Sequence, residues 1–495
     1  MKKSIILLIL ILSLVVNCGC EAVVENQLLG AYSETDDTEI KTERELTDVN
    51  LLYYPDMDVN PVTTTCLANN QLLKLVYQPL VQLNADFKPT GIIADSFEQS
   101  GATVTVKLKA GLKFSNGEPV TAFHAVKSFN VAKKNAASPY NSNLSYIKEF
   151  YAKDDLTFVC VFKTELADAA GLLDIPVMYN GEAGIGSGPY RFETKSAKLM
   201  LVKNDHFSPS PKLEKLYLKE TKKDEYITSL FSAGELDVVS IPANDDLTLT
   251  SLRDYSIVNY PSNNLIYIGV NASSEVFADA NIRRAISDCI DRKHIANQAL
   301  VGLASPSLYP VNPSWYKLSV YNIDAAPEKD EAEVFAARDK LKEVKLTLLI
   351  PDNSDVKTAV ANALVERFRA LGLTLELKIS ENYANEVALG AFDLYLGETA
   401  VPRTMDSGYL FTTGGTVNYG GFSNAELDSA YASFTAGEIG LDKYLQGFSK
   451  QMPIIPVVFR KNVIYCAGSI EGWSGQSAWN SYGNFETIYI KKPQS

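Results

Sequence analysis

The side chains that could do chemistry are few and scattered. His124, His206 and His294 are the three histidines, and none stands in a His-Glu-x-x-His arrangement, which disfavours zinc hydrolysis. The glycine-dense stretch Gly184 to Tyr190 (GIGSGPY) lacks the lysine and the strand-to-helix setting of a phosphate loop. It does not fit Gly-x-Ser-x-Gly either, and it reads as a turn. Carboxylates are abundant, 59 in all, but spacing alone nominates no pair as acid and base. Past residue 20 only Cys66, Cys160, Cys289 and Cys466 remain, with no Cys-x-x-Cys pair. Four cysteines permit three pairings that sequence cannot choose among. Cys160 in LTFVCVF and Cys289 in RRAISDCIDR sit in periodic segments and read as small buried hydrophobes. The expectation is a protein without enzymatic activity, cofactor or metal. A net charge of -13 argues against a nucleic-acid partner, because phosphate-backbone binding rests on basic surface.

The first residues read as an address. Lys2 and Lys3 lead an apolar run, Ile5 to Leu12, which resumes after Ser13 through Val16. That is the pattern of a signal peptide, and the run is short of the roughly 20 apolar residues of a spanning helix. Cys18 and Cys20 fall where cleavage is due. The segment resembles a bacterial lipoprotein signal, in which the cysteine after a small residue becomes the lipidated N-terminus; Gly19 favours Cys20, with Cys18 as the alternative. Two acyl chains hold a protein durably at a membrane. Residues 21 to 47, centred on SETDDTEIKTERE, are acidic, polar and poor in large apolar groups, and read as a flexible tether.

Beyond the tether lie the elements that must position any site. Strands are expected at Val49 to Tyr54, in ATVTVKLKA where Val104, Val106 and Leu108 alternate, and from Leu156 in LTFVCVFK. A βαβ pattern follows. KLTLLIP is a strand, Val356, Val360, Leu364 and Phe368 form one helical stripe ended at Gly372, and Leu373, Leu375, Leu377 and Ile379 share a strand face before FDLYLG. This alternation implies an α/β fold with a parallel sheet covered on both sides. The roughly 475 residues left after the signal suggest two or three domains.

From Leu75 to Asn130 the sequence resembles the family 5 extracellular solute-binding proteins, the peptide and nickel receptors of ATP-binding cassette importers. The matching positions are Tyr77, Pro79 and Leu80, then Pro89, Ala94 and Ser96. Lys109, Gly111, Leu112, Phe114, Gly117, Pro119, Thr121, Ala122 and Val126 follow. Thr121 can cap the helix that carries Ala125 to Val131. IGSGPYRFE, LVKNDHF, the segment from Ile266 to Ser307, NYGGFSNAELDSAYASF and QMPIIPVVFRKN match later parts in family order, with His206 in an aromatic slot.

The resemblance implies a two-lobed periplasmic-binding-protein-like fold (type II, cluster C) with an extra inserted subdomain. By analogy the first lobe comprises 48–61, 184–265 and 461–495, the insertion 62–183, and the second lobe 266–460. It also implies a monomeric, lipid-anchored, extracytoplasmic receptor that closes on an oligopeptide or dipeptide and delivers it to the permease subunits of an importer. Alternatives are a sensor lipoprotein with the same cleft, a receptor for an oligosaccharide or metal chelate, and a secreted hydrolase of unrelated fold. Peptide-binding relatives place an aspartate for the ligand amine where this chain has Val401. The amine then falls to Glu398 or Asp406, or is absent from the ligand. Arg403 can meet a carboxylate, and Tyr53, Asn418 and Tyr419 are cleft-lining candidates.

Overall fold

Two long strands, Tyr255–Val270 and Ile454–Ala467, run antiparallel through the centre of an 11-stranded sheet and belong to both of its halves. A computed structural model describes residues 48–195, 198–243, 246, 248–249, 251–319 and 331–492. The lipidation candidates Cys20 and Cys18 and the proposed tether lie outside the described residues.

To one side of the long pair the order is Leu394–Ala400, Lys345–Pro351 and Thr374–Ser380. To the other it is Val238–Ile241, Val49–Tyr53, Lys215–Glu220, Lys198–Lys203 and Tyr190–Lys195. Each half has its own apolar core. Leu265 to Val270 and Ile454 to Phe459 pack with the helices of the second half, whereas Tyr260, Ile464 and Cys466 pack with the first. The chain thus crosses from one core to the other twice, once along each strand.

The parallel sheet expected from the βαβ pattern is found only in part. Lys345–Pro351 is parallel to both Thr374–Ser380 and Leu394–Ala400, and Val49–Tyr53 is parallel to its two neighbours. The remaining pairs of this sheet are antiparallel. The reason is topological: a chain that enters the second half along one strand and returns along the adjacent one must run in opposite directions in the two.

Local chemistry explains the elements that bear on the site. Helix Asp355–Ala370 begins at Ser354, whose Oγ accepts from Lys357 N at 3.3 Å. It buries Val360, Leu364 and Phe368 as the stripe predicts. It ends at Gly372, whose φ of +75° suits a residue without Cβ. Ile379 is exposed, because its strand is the outer edge of the sheet. A separate four-stranded antiparallel sheet (Ala94–Ser100, Thr103–Leu108, Thr157–Phe162, Ile147–Asp154) packs on helix Ala122–Lys134, and its apolar face joins the first core. At that helix's start Thr121 N donates to His124 Nδ1 at 3.2 Å, so His124 serves as a cap and stacks on Tyr179. Cys66, Cys160, Cys289 and Cys466 are free thiols, the last three buried.

Candidate site between the lobes

The sequence around both crossing points changes character together. Apolar runs flank Pro261, Ser262, Asn263 and Asn264 on one strand and Arg460, Lys461 and Asn462 on the other. Pro261 cannot donate to a ladder, and the register shifts between Pro261 and Leu265. The crossing is tied instead by side chains: Ser262 Oγ donates to Arg460 O at 2.6 Å, Asn312 Nδ2 to Ser262 O at 2.5 Å, and Ala243 N to Asn462 Oδ1 at 2.8 Å. Polar residues are required here, since backbone that leaves one core before entering the next keeps unpaired groups.

Glu398 lies in this band. Its Oε1 accepts from Arg460 Nη1 at 2.9 Å and from Asn264 Nδ2 at 2.9 Å, and its Oε2 is 3.6 Å from Lys357 Nζ. Arg460 Nη1 also reaches Asp246 Oδ1 at 3.0 Å, and Asp246 Oδ2 accepts from Ser354 Oγ at 2.7 Å. Asp246 comes from the loop after Val238–Ile241 in the first half, and Ser354 heads a helix of the second, so this carboxylate joins the two halves. Asn264 Oδ1 is buried without a hydrogen-bond partner among the described residues, an acceptor aimed into the same cluster.

A second polar bridge lies farther from the crossing. Arg403 Nε donates to Asp174 Oδ2 at 3.1 Å, Nη2 reaches the same oxygen, and the guanidinium lies 4.6 Å from the centre of the Trp479 ring. Asp174 is 2% exposed and also accepts from Asn143 Nδ2 at 2.8 Å. Nearby, Lys317 Nζ lies 2.5 Å from Asp168 Oδ2 and stands over the Trp315 ring. A cavity of about 10 Å³, room for roughly one water, separates the two bridges and is lined by residues including Phe87, Leu172 and Thr404.

The other expected site residues are placed as follows. Val401, at the family's aspartate position, is fully buried, its N bonded to Asn263 O at 2.8 Å. Asp406 accepts from Tyr431 Oη and, at 3.1 Å, from Gly408 N, and together with burial it raises the pKa of the Tyr146 hydroxyl. Asn418 is a loop brace: Nδ2 donates to Thr412 O at 3.0 Å and Phe422 O at 2.7 Å, while Oδ1 accepts from Phe422 N at 3.1 Å. Tyr53 sits in the first core, where burial and then Glu220 raise its pKa. Tyr419 is 39% exposed and packs edge-on against Tyr395. Tyr395 and Tyr267 lie reciprocally over Gly269 and Gly397 of each other's strand, their hydroxyls 3.1 Å apart, and burial pushes Tyr267 up to about 12. Glu398 and Arg403 do not pair with each other; each takes an opposite charge elsewhere.

A profile of the family described as Bacterial extracellular solute-binding proteins, family 5 Middle, matches residues 88–421. The chain belongs to this family. It is 23% identical over 366 residues to the oligopeptide-binding protein AppA of Bacillus subtilis (strain 168), a match covering 65% of this chain and 67% of that protein. The ABC transporter substrate binding protein CtaP of Listeria monocytogenes superposes with a TM-score of 0.69 at 21% identity over 90% of this chain and 99% of that one. A nickel ABC transporter structure from Bacillus halodurans superposes with a TM-score of 0.71 at 17% identity over 89% and 99%. These likenesses show the two-lobed fold. The chain spans about half to two thirds of the length of the curated relatives it matches.

The two polar bridges each join residues whose strands and helices belong to different apolar cores. The resemblance pointed to Glu398 and Arg403 but to none of their partners. Asp174 lies 229 residues from Arg403 and Asp246 lies 214 from Arg460, and no periodicity reports such contacts. One signal was available, namely that PSNN and RKN interrupt two otherwise apolar strands.

Proposed function

We propose that this chain is an extracytoplasmic receptor that captures a small ligand, an oligopeptide or dipeptide, by closure of its lobes and delivers it to the permease subunits of an ATP-binding cassette importer. The observation that carries this reading is the polar crossing. Two cores are joined by two strands whose middles are hydrophilic, and the carboxylates of Asp174 and Asp246 reach across to groups on the other lobe. A ligand drives closure only by binding the closed state better than the open one. Hydrogen-bonding groups contributed by both lobes supply that difference. The family membership and the oligopeptide-binding relative support the ligand class. The boundaries drawn at 62–183 and 266–460 belong to this proposal, and the second is supported by the change of core between Tyr260 and Leu265 and between Phe459 and Val463.

A thermal-shift screen of short peptides, amino-sugar oligomers and metal chelates tests the reading. Cargo must raise the unfolding temperature as mass action requires, and the chain must leave it chemically unchanged. Turnover of any of them refutes the proposal. Single alanine substitutions of Glu398, Arg403 and Asp406 test the cleft assignment, which fails if affinity is unchanged in all three. Anchoring through Cys20, or Cys18, is part of the same proposal. Cys20→Ser releases the protein from the membrane fraction if Cys20 carries the lipid, and leaves it there if Cys18 does.

A further inference from the structure

Among the described residues three ion pairs bridge the lobes, and all three have the same polarity. Asp168, Asp174 and Asp246 come from the first-lobe side, and Lys317, Arg403 and Arg460 from the second. The faces of the gap therefore carry opposite charge: one accepts cations and the other offers them. Asp174 is the deepest of the acids. It is fixed by Asn143 from its own side, and Arg403, from across the gap, is the cation paired with it. A buried carboxylate left uncompensated is costly. If the lobes part, Asp174 loses that partner and keeps the amide of Asn143. The Trp479 ring, edge-on to Phe87 at 5.6 Å, walls the same position with the face that favours cations. Carboxylate and aromatic wall together fit an ammonium or guanidinium, with the Asn143 amide holding the carboxylate in place.

We infer that Asp174, Asn143 and Trp479 form a cation subsite of the cleft, which takes the N-terminal ammonium or a basic side chain of a peptide and which Arg403 fills when no ligand is present. The inference rests on the receptor reading above and adds where the ligand's positive end goes. The second lobe offers no acid at position 401, where Val401 is fully buried, and its Glu398 and Asp406 are engaged by Arg460 and Tyr431, which leaves Asp174 of the opposite side as the acceptor. Arg403 is then a tethered competitor. A ligand cation must displace it.

The test uses the full chain in calorimetric titration with the tripeptides Ala-Ala-Ala and Lys-Ala-Ala and their N-acetylated forms. The wild type is expected to prefer free amines. Asp174→Asn keeps the shape and removes the charge, and should weaken the free-amine peptides by about 10- to 100-fold, the size of a hydrogen bond to a charged group, with the acetylated ones unchanged. Arg403→Gln should tighten the free-amine peptides, a gain that a misfolded variant cannot mimic. Undiminished preference in Asp174→Asn, or equal or weaker binding in Arg403→Gln, overturns the subsite and leaves the receptor reading standing. Absence of binding by every peptide to the wild type overturns the peptide-receptor reading itself, and the subsite with it.

Discussion

Arg460 and Glu398 give the clearest quantitative test of the polar crossing. Their charged atoms are 2.9 Å apart, Arg460 on one crossing strand and Glu398 on Leu394–Ala400, which pairs with the other, with side chains 10% and 13% exposed. Two unit charges at about 4 Å between charge centres interact by roughly 4 kcal/mol at an effective dielectric of about 20. Partial exposure lowers this, so a coupling of about 2–4 kcal/mol is expected rather than the 0–1 kcal/mol of surface pairs. Arg460→Met alone removes the cation shared by Glu398 and Asp246, and leaves Lys357, 3.6 Å away, as the charge facing Glu398. Removing one partner of a buried pair costs about 3–5 kcal/mol, and the 29% exposure of the Asp246 side chain, which allows rehydration, places the cost toward the lower end. Glu398→Gln keeps the shape and loses the charge. Urea unfolding of both single variants and the double variant, with unchanged slope as the check on the unfolded reference, yields the coupling. A double variant as destabilised as the sum of the singles, within about 0.5 kcal/mol, would refute the claim that this pair is held out of water at the crossing.

Other perturbations follow from the same geometry. Gly397→Ala places a Cβ 2.4 Å from Cζ of Tyr267, and the overpacking should cost about 1–3 kcal/mol, read as a lowered urea midpoint. Ser354→Ala removes a helix N-cap and a donor to Asp246, for a loss of about 1 kcal/mol from the cap, and a midpoint equal to wild type would contradict both roles. Burial and then Lys127, opposed by Glu118, hold the His124 pKa below its ordinary 6.5. The unfolded chain therefore binds the proton first, and this group's contribution is full above about pH 6.5 and lost as pH falls through the depressed folded value. His124→Asn should flatten the stability profile in that window, and an identical profile would show that another group governs it.

The sequence made some elements legible and hid others for physical reasons. Helix Asp355–Ala370 was readable because its cap, stripe and terminating glycine are all local, so that chain neighbours alone specify it. The direction of the sheet was not, since parallel strands near residues 345–400 say nothing about the long pair that carries the chain between lobes. The site divides in the same way. Val401, Glu398 and Arg403 could be placed against a family pattern because they stand within six positions around one strand end. Asp174, Asp246 and Trp479 could not, because each acts only once the lobes face one another. Asn418 and Asp406 show a related limit. Their residue types mark them as candidate ligand groups, whereas the bonds that Asn418 makes to Phe422 and Asp406 to Gly408 and Tyr431 are visible only in the fold. The two crossing segments stand between these cases. PSNN and RKN are each unremarkable alone, and it is their interruption of two apolar strands at paired positions, Tyr260 opposite Asn462 and Pro261 opposite Lys461, that marks where one core stops and the other starts. A crossing of this kind is written in two distant places at once, and it becomes visible only when the strands are paired.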